Sequence, residues 1–379
     1  VRNSCLYTNK PITFRRSSTK ILEVKGYFGG WGSNLQNVEK SMRAIYIPDG
    51  FSESLRERCI HGLNIGDTSI FTEEELLKLR VFSQADQSGA EALIVAYECS
   101  DGDYRKLFKY NVSPHVYVSM KLFADVWTKK MKETGGLIED FNLDDISATP
   151  IEKLKDNPFW YDLSKLIKSS DDWPITERYY YLGKQTGHSA NYGIQGPTFR
   201  MNVLEKSGGK IFISKEDSER FLLTYRGLFP EIEDRNRRIR SIIENDRDDF
   251  KYLYNVFGFP FCVTEYEPQE STVKEYYAWS AQSSVGEITR RAFTNLYECI
   301  QDNKHKWDIL ADTHDSYMTQ HPLQDTKEVH KQMTGFLNQK LISPFDGSTF
   351  YMRSDIKTGF NWGPKSKENQ EGLQELTWI

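Results

Sequence analysis

Apolar positions at Val81, Phe82 and Ala85 among the polar Arg80, Ser83 and Gln84 read as a short strand, Arg80-Val81-Phe82-Ser83-Gln84-Ala85, that delivers Asp86 at its end. Gly89 to Cys99 then continues as an apolar-rich helix. From about Pro114 to Tyr254 the spacing is predominantly helical, broken at Gly135-Gly136, at Asp171-Asp172-Trp173-Pro174 and at Ser207-Gly208-Gly209. Asp172 or Thr176 is expected to cap the helix after the second break. Tyr254 to Tyr266 reads as a second sheet-like stretch turning at Gly258-Phe259-Pro260, and Ala281 to Gln301 as a helix. Two strands, Trp307 to Thr313 and Tyr317 to Gln320, then flank His314-Asp315-Ser316 at a turn. Strands from both ends of the sequence bracket a helical middle, which predicts an α+β body with a helical insertion.

A chain of 379 residues is long enough for two or three subdomains, since single cores seldom grow beyond ~250–300 residues. Its 38% hydrophobic and 27% charged residues describe a folded globular protein. With 49 basic and 54 acidic side chains the net charge is −5, so no chain-wide basic footprint marks a nucleic-acid binder. A protein that grips nucleic acid in one cleft can still offset a local basic lining elsewhere. The densest basic run, Arg235, Arg237, Arg238 and Arg240, reads either as a solvated helix face balanced by Glu231, Glu233 and Asp234 or as phosphate contacts. Cys5, Cys59, Cys99, Cys262 and Cys299 form no C-x-x-C pair, so a structural zinc site is not expected and a reducing, cytoplasmic compartment is. No apolar run approaches the ~20 residues that cross a bilayer, and no secretory signal opens the chain. Val1 in place of an initiator methionine leads us to expect a fragment, a processed product or a trimmed chain.

Asp86 and Asp315 are the candidates for chemistry. Each by itself fits a turn or cap as well as a ligand. Brought together by folding, two isolated carboxylates suit Mg²⁺, which takes one or two carboxylates, several waters and phosphate oxygens. In a two-metal site one ion activates an attacking hydroxyl and the other holds the triphosphate and its leaving oxygen. Lys184, His188 and Tyr192 fall at i, i+4 and i+8, on one face of a helix ending near Gly193. The same spacing also describes an ordinary amphipathic face. A lysine there can neutralise triphosphate charge and donate a proton to departing pyrophosphate. The constellation suggests template-directed nucleotidyl transfer.

An ordered series of segments extends that reading. Asp86-Gln87-Ser88-Gly89-Ala90-Glu91 resembles the D-x-S-x-x-E of motif A in family A DNA polymerases, the DNA polymerase I type of bacteria and phages. Lys184 to Gly193 resembles their motif B, K-x₇-Y-G, and His314-Asp315 their motif C, H-D-E. Thr13-Phe14-Arg15-Arg16-Ser17-Ser18 is similar to T-G-R-x-S-S, and Asn34-Leu35-Gln36-Asn37 to N-L-Q-N. Asn111-Val112-Ser113-Pro114-His115 with Phe123 is similar to the D-x-H segment, and Gln282-Ser283-Ser284-Val285-Gly286-Glu287 to Q-G-T-A-A-D. Gly359-Phe360-Asn361-Trp362 is similar to the closing G-x-N-W. The series keeps the family's order over about the whole chain.

The resemblance implies a right-hand polymerase palm, an antiparallel sheet with helices, carrying helical fingers. The palm is expected over 1–100 and 262–379 and the fingers over 101–261. Asp86 and Asp315 would bind two Mg²⁺ ions, with Mn²⁺ able to substitute. Lys184, His115 and Arg178 would meet the incoming dNTP, with Lys184 taking part in catalysis and His188 at the ring position that affects sugar discrimination. Glu91 would exclude a ribose 2′-hydroxyl. Tyr192 and Gly193 would lie near the templating base, Arg15 and Gln282 in the minor groove near the primer end, and His314 at the primer terminus of bound primer-template DNA. The family carries an exonuclease-like domain and a thumb ahead of this region, so an N-terminal region or a separate subunit is expected to supply them. No membrane partner is expected, and a phage origin would place the protein in the host cytoplasm.

Departures from the family pattern matter too. Tyr180 stands where motif B has an arginine, with Arg178 two residues further back. Ser316 follows Asp315 where the family has glutamate, a choice similar to single-subunit phage RNA polymerases. The alternatives are therefore an RNA polymerase of that type, against which Glu91 and Asn34 to Asn37 argue, and a non-catalytic DNA-binding remnant.

Overall fold

The computed structural model describes residues 5–6, 17–18, 43–44, 46–49, 72–133, 141–244, 251–263, 268–313 and 315–376. In chain order the elements begin with β1 (Cys5–Leu6), β2 (Ser17–Ser18), α1 (Glu73–Lys78), β3 (Arg80–Gln87), α2 (Ala90–Glu98), α3 (Asp103–Lys109), α4 (Pro114–Leu122), α5 (Ala124–Glu133), α6 (Leu143–Ala148) and α7 (Trp160–Ser169). There follow α8 (Tyr179–Ala190), α9 (Gly196–Lys206), α10 (Lys215–Leu228), α11 (Pro230–Ile243), β4 (Lys251–Tyr254), β5 (Pro260–Val263) and α12 (Glu270–Asn303). The chain closes with β6 (Asp308–Thr313), β7 (Ser316–Pro322), α13 (Thr326–Leu337), β8 (Lys340–Ile342), β9 (Thr349–Tyr351) and β10 (Ser354–Gly359). This is the α+β architecture expected from the pattern, an antiparallel sheet with a helical insertion.

Two compact units share the chain. The first takes in Val1–Ala90, Gln282–Ile342 and Thr349–Ile379, and the second Glu91–Ala281 and Ser343–Ser348. At the centre of the first is a four-stranded antiparallel sheet in the order β10-β3-β7-β6. The central strand β3 is buried along most of its length, and Asp86 is its one exposed residue. On one face Phe82, Ala311, Met318, Trp362 and Leu373 form an apolar cluster.

The opposite face has a polar interior. Ser83 Oγ lies 2.8 Å from His321 Nε2 and 2.6 Å from Thr358 Oγ1, and His330 Nε2 of α13 lies 2.6 Å from the same Thr358 oxygen. Burial lowers the His321 imidazole to about 3 and His330 to about 4, so both rings are neutral in the fold. Neutral rings fit the site because each hydroxyl can then donate once and accept once along the row.

The second unit is mostly helical. Local signals start several of its helices: Ser113 accepts from the Val116 amide and Pro114 opens α4, while Ser214 accepts from the Asp217 amide at α10. Ser207-Gly208-Gly209 ends α9 as expected, with φ of +65° and +79° at the glycines, a backbone that an L-residue adopts with strain. Gly135-Gly136 lies outside the described residues.

Three expectations are corrected. Neither Asp172 nor Thr176 caps α8. They sit in separate 3₁₀ turns, Ser170–Asp172 and Ile175–Glu177, on either side of Trp173-Pro174. Arg178 holds the cap position without a side-chain bond, and Ser170 Oγ instead accepts from the Tyr180 amide at 2.9 Å. The helix expected from Ala281 begins at Glu270, because Val273, Tyr276, Tyr277 and Ala281 continue a buried stripe at helical spacing.

The third correction concerns the basic run. Arg235 is 2% exposed and its Nε donates to Glu98 Oε2 at 2.7 Å, while Arg238 donates to the Glu98 carbonyl. Arg240 donates to both Glu270 oxygens, and Arg237 pairs with Asp234. Arg235, Arg238 and Arg240 hold α11 to its neighbours within the second unit, while Arg237 stays on the solvated face, balanced by Asp234 as the sequence allowed.

Candidate functional site

In the first unit the sheet register brings the two predicted aspartates to adjacent strand ends. Asp86 is paired with Ser316 across β3 and β7, one residue after Asp315, and the Gln87 amide donates to the Asp315 carbonyl at 3.0 Å. Asp86 is exposed and Asp315 partly so, as a ligand-facing carboxylate must be. Among the described residues no group of three or more His, Cys, Asp or Glu side chains could hold a metal. A donor set of two aspartates fits Mg²⁺, which keeps waters and takes substrate oxygens in its remaining positions.

Ser316, directly opposite Asp86, is buried. It is 1% exposed, and its hydroxyl accepts from Gln84 Nε2 at 2.8 Å, while Gln84 Oε1 accepts from Trp362 Nε1 at 2.9 Å. The residue after Asp315 therefore ties β7 to β3 and to the Gly359-to-Trp362 segment. Gln87 makes a similar tie to α12, donating to the Val285 carbonyl at 3.3 Å and to Thr289 Oγ1 at 2.6 Å. Gln282 stands one turn earlier on that anchored helix, partly buried. Arg15 and His314 lie outside the described residues, as do Asn34 to Asn37.

The second unit holds the row Lys184, His188 and Tyr192. Lys184 and His188 are exposed on α8, and the Tyr192 ring meets His188 edge-on at 5.9 Å between centroids. The helix packs unusually close to α4. A Cβ at Gly183 would come within 2.9 Å of Ser119 Cβ and 3.0 Å of the His115 carbonyl oxygen. That closeness explains His115, whose imidazole is pushed down to about 4 by burial and then by the Lys184 and His188 charges. A neutral His115 can donate or accept beside a charged Lys184 without repelling it.

Arg178 stands at the start of α8, its Nε 3.5 Å from the Trp173 carbonyl. Asp171, nearby, has its carboxyl raised by burial against the opposing pull of Lys184 and Arg178. At the far end of the helix the Tyr192 hydroxyl donates to Glu91 Oε2 at 2.8 Å, and burial followed by that carboxylate raises the phenol well above its usual value. Gly193 follows with φ +70°, and a Cβ there would meet the Tyr277 ring at 3.2 Å. The exposed Lys184 and His188 of α8 are thus followed, two residues past the helix end, by a half-buried tyrosine bonded to Glu91.

Sequence reasoning missed two neighbours of Asp86. Arg43 feels the Asp86 charge and stacks its guanidinium over Trp362 at 4.7 Å, and Asp355 is directly opposite Asp86 on β10, accepting from Ser88 Oγ at 2.6 Å. Both lie far from Asp86 in sequence, so no local pattern could have connected them.

No protein-family model matches the chain, and no curated protein does. Among solved structures, the fold is that of a DNA polymerase I polymerase domain. The chain superposes on the POL domain of Pol1 from M. smegmatis, a complex with DNA primer-template and dNTP, with a TM-score of 0.57 over 96% of its own length. Identity is 15%, so the likeness is one of fold, and the chain spans 48% of that solved chain. Among the described residues no helix is long and apolar enough to cross a membrane.

Proposed function

We propose that the chain performs template-directed DNA synthesis, adding deoxynucleotides to a primer 3′ end with release of pyrophosphate, as a family A polymerase. The observation that carries the proposal is the sheet register: it sets Asp86 and Asp315 at neighbouring strand ends in a fold shared with a DNA polymerase domain. In this reading the first unit is the palm and the second the fingers.

Asp86 and Asp315 hold two Mg²⁺ ions, with Mn²⁺ able to substitute, and the ions when bound supply charge neutralisation and an activated primer hydroxyl. Lys184, with Arg178 and neutral His115, takes the triphosphate charge, and Lys184 gives a proton to the leaving pyrophosphate. His188 lies against the incoming nucleotide. Glu91, held by Tyr192, occupies the place a ribose 2′-hydroxyl needs and so favours dNTPs. Tyr192 and Gly193 adjoin the templating base, while Arg15, Gln282 and His314 contact the primer-template duplex.

Primer extension with dNTPs and with rNTPs tests this directly. The chain, supplemented with any N-terminal region or subunit that bears a thumb, is expected to extend with dNTPs and Mg²⁺. Asp86→Ala and Asp315→Ala should each lower the rate by at least about a thousandfold, the scale of removing a principal source of transition-state charge stabilisation. Preferential use of rNTPs would mark an RNA polymerase, and no incorporation of either would mark a DNA-binding remnant.

A further inference from the structure

The end of α8 is built around a polar residue that the family comparison does not single out. Asn191, just before Tyr192, is 3% exposed, and its amide is engaged at both ends. Nδ2 donates to the Tyr104 hydroxyl at 2.9 Å, and Oδ1 accepts from the Tyr225 hydroxyl at 2.7 Å. Its carbonyl accepts from Asn236 Nδ2 at 3.2 Å, and Asn236 Oδ1 in turn accepts from Arg235 Nη1 at 3.0 Å. Helices α3, α10 and α11 therefore converge on this one residue. Tyr104, Tyr225 and Asn236 are all buried, so none of these bonds has water as a ready substitute.

One residue further on, the Tyr192 hydroxyl reaches Glu91 at 2.8 Å, and Gly193 turns the chain against Tyr277. A hydrogen bond of that length tolerates little displacement of its donor. The backbone that carries Tyr192 is fixed on one side by the Gly193 turn and on the other by Asn191.

We propose that Asn191 is a positioning residue for sugar selection: through Tyr104, Tyr225 and Asn236 it fixes the backbone of Tyr192, and so keeps the Tyr192 hydroxyl on Glu91 where that carboxylate excludes a ribose 2′-hydroxyl. The proposal rests on the polymerase reading above. Leucine at position 191 has a similar volume but removes both ties to Tyr104 and Tyr225, so the turn that Tyr192 belongs to is no longer held, and separately it costs stability by leaving the two hydroxyls without this partner.

The test compares kcat/KM for a dNTP and its matching rNTP in the wild type, in Asn191→Leu, and in the triple variant Tyr104→Phe/Asn191→Leu/Tyr225→Phe. Asn191→Leu is expected to lower the preference for the dNTP by about tenfold, the scale of one misplaced hydrogen bond. The triple variant, with no orphaned hydroxyl, should regain melting temperature without regaining the preference. Wild-type discrimination in Asn191→Leu, or its return together with stability in the triple variant, overturns the proposal. If the wild type incorporates neither nucleotide, the polymerase reading fails and sugar selection with it. A double-mutant cycle on thermal stability between Asn191→Leu and Tyr192→Phe then decides the positioning claim alone: non-additive shifts uphold it and additive shifts overturn it.

Discussion

Arg235 shows how much a single side chain carries in the second unit. Its guanidinium donates to Glu98, to Asn236 and to the Tyr277 carbonyl, and it is almost wholly removed from water. Such a pair adds little net stability over apolar packing, yet losing one partner strands the other charge. Arg235→Met should therefore destabilise the fold by about 3–5 kcal/mol, since the buried Glu98 carboxylate would keep only Ser280 and weaker partners. Glu98→Gln combined with Arg235→Met should recover a large part of that loss. Urea midpoints of the two variants check both statements, and equal destabilisation of single and double variants would contradict the account. In the sequence Arg235 is one of four arginines within six residues, and nothing in the spacing sets it apart from Arg237, which is exposed and pairs with Asp234.

At the scale of elements, the packing of α13 against β3, β7 and β10 makes the first unit sensitive to acid. His321 and His330 have folded values near 3 and 4, below the ordinary histidine value. The unfolded chain therefore binds protons that the folded chain refuses. Their contribution is complete above the unfolded value of about 6.5 and is lost as pH falls from there towards about 4, each ring adding a slope approaching 1.4 kcal/mol per pH unit, to order of magnitude. Melting temperatures measured from pH 7 to pH 5 should fall less steeply for His321→Gln/His330→Gln than for the wild type, whatever the variant's stability at pH 7. Equal slopes would show that the rings are not held neutral.

Elements were also what the sequence showed best. β3 is legible as a short apolar-rich run, Val81, Phe82 and Ala85, that suits a strand buried on both faces, and the end of α9 because two glycines adopt positive φ. The start of α8 is not legible in this way, since Asp172 and Thr176 are good capping types by composition but lie in separate short turns on either side of Trp173-Pro174. Capping depends on where the backbone leaves the turn, which residue type alone does not fix.

For the whole molecule, a net charge of −5 means that any grip on DNA must come from local groups and not from a general attraction. Phosphate contacts release counterions, so binding to a primer-template duplex should weaken by at least about a hundredfold between about 50 and 200 mM salt if several phosphates are neutralised. Fluorescence anisotropy across that range measures the slope, and a flat response would exclude a phosphate-dominated interface. Sequence changes in the duplex should matter little by comparison, because phosphate contacts carry no base information.

The sequence by itself determined β3, the helical middle and the strands around Asp315, their order, and the residue types available for chemistry: Asp86 near a strand end, Asp315 at a turn, Lys184 and His188 along one helix face. Those features follow from interactions within a few residues, which periodicity and turn chemistry record. Only the tertiary structure decided that Asp86 lies beside the Asp315 strand and across from Asp355, that Ser316 is turned inward onto Gln84, and that Asn191 gathers Tyr104, Tyr225 and Asn236 behind Tyr192. These pairings join residues far apart in the chain. They are settled by which buried faces and hydrogen-bond partners can all be satisfied at once, a condition no local stretch of sequence contains.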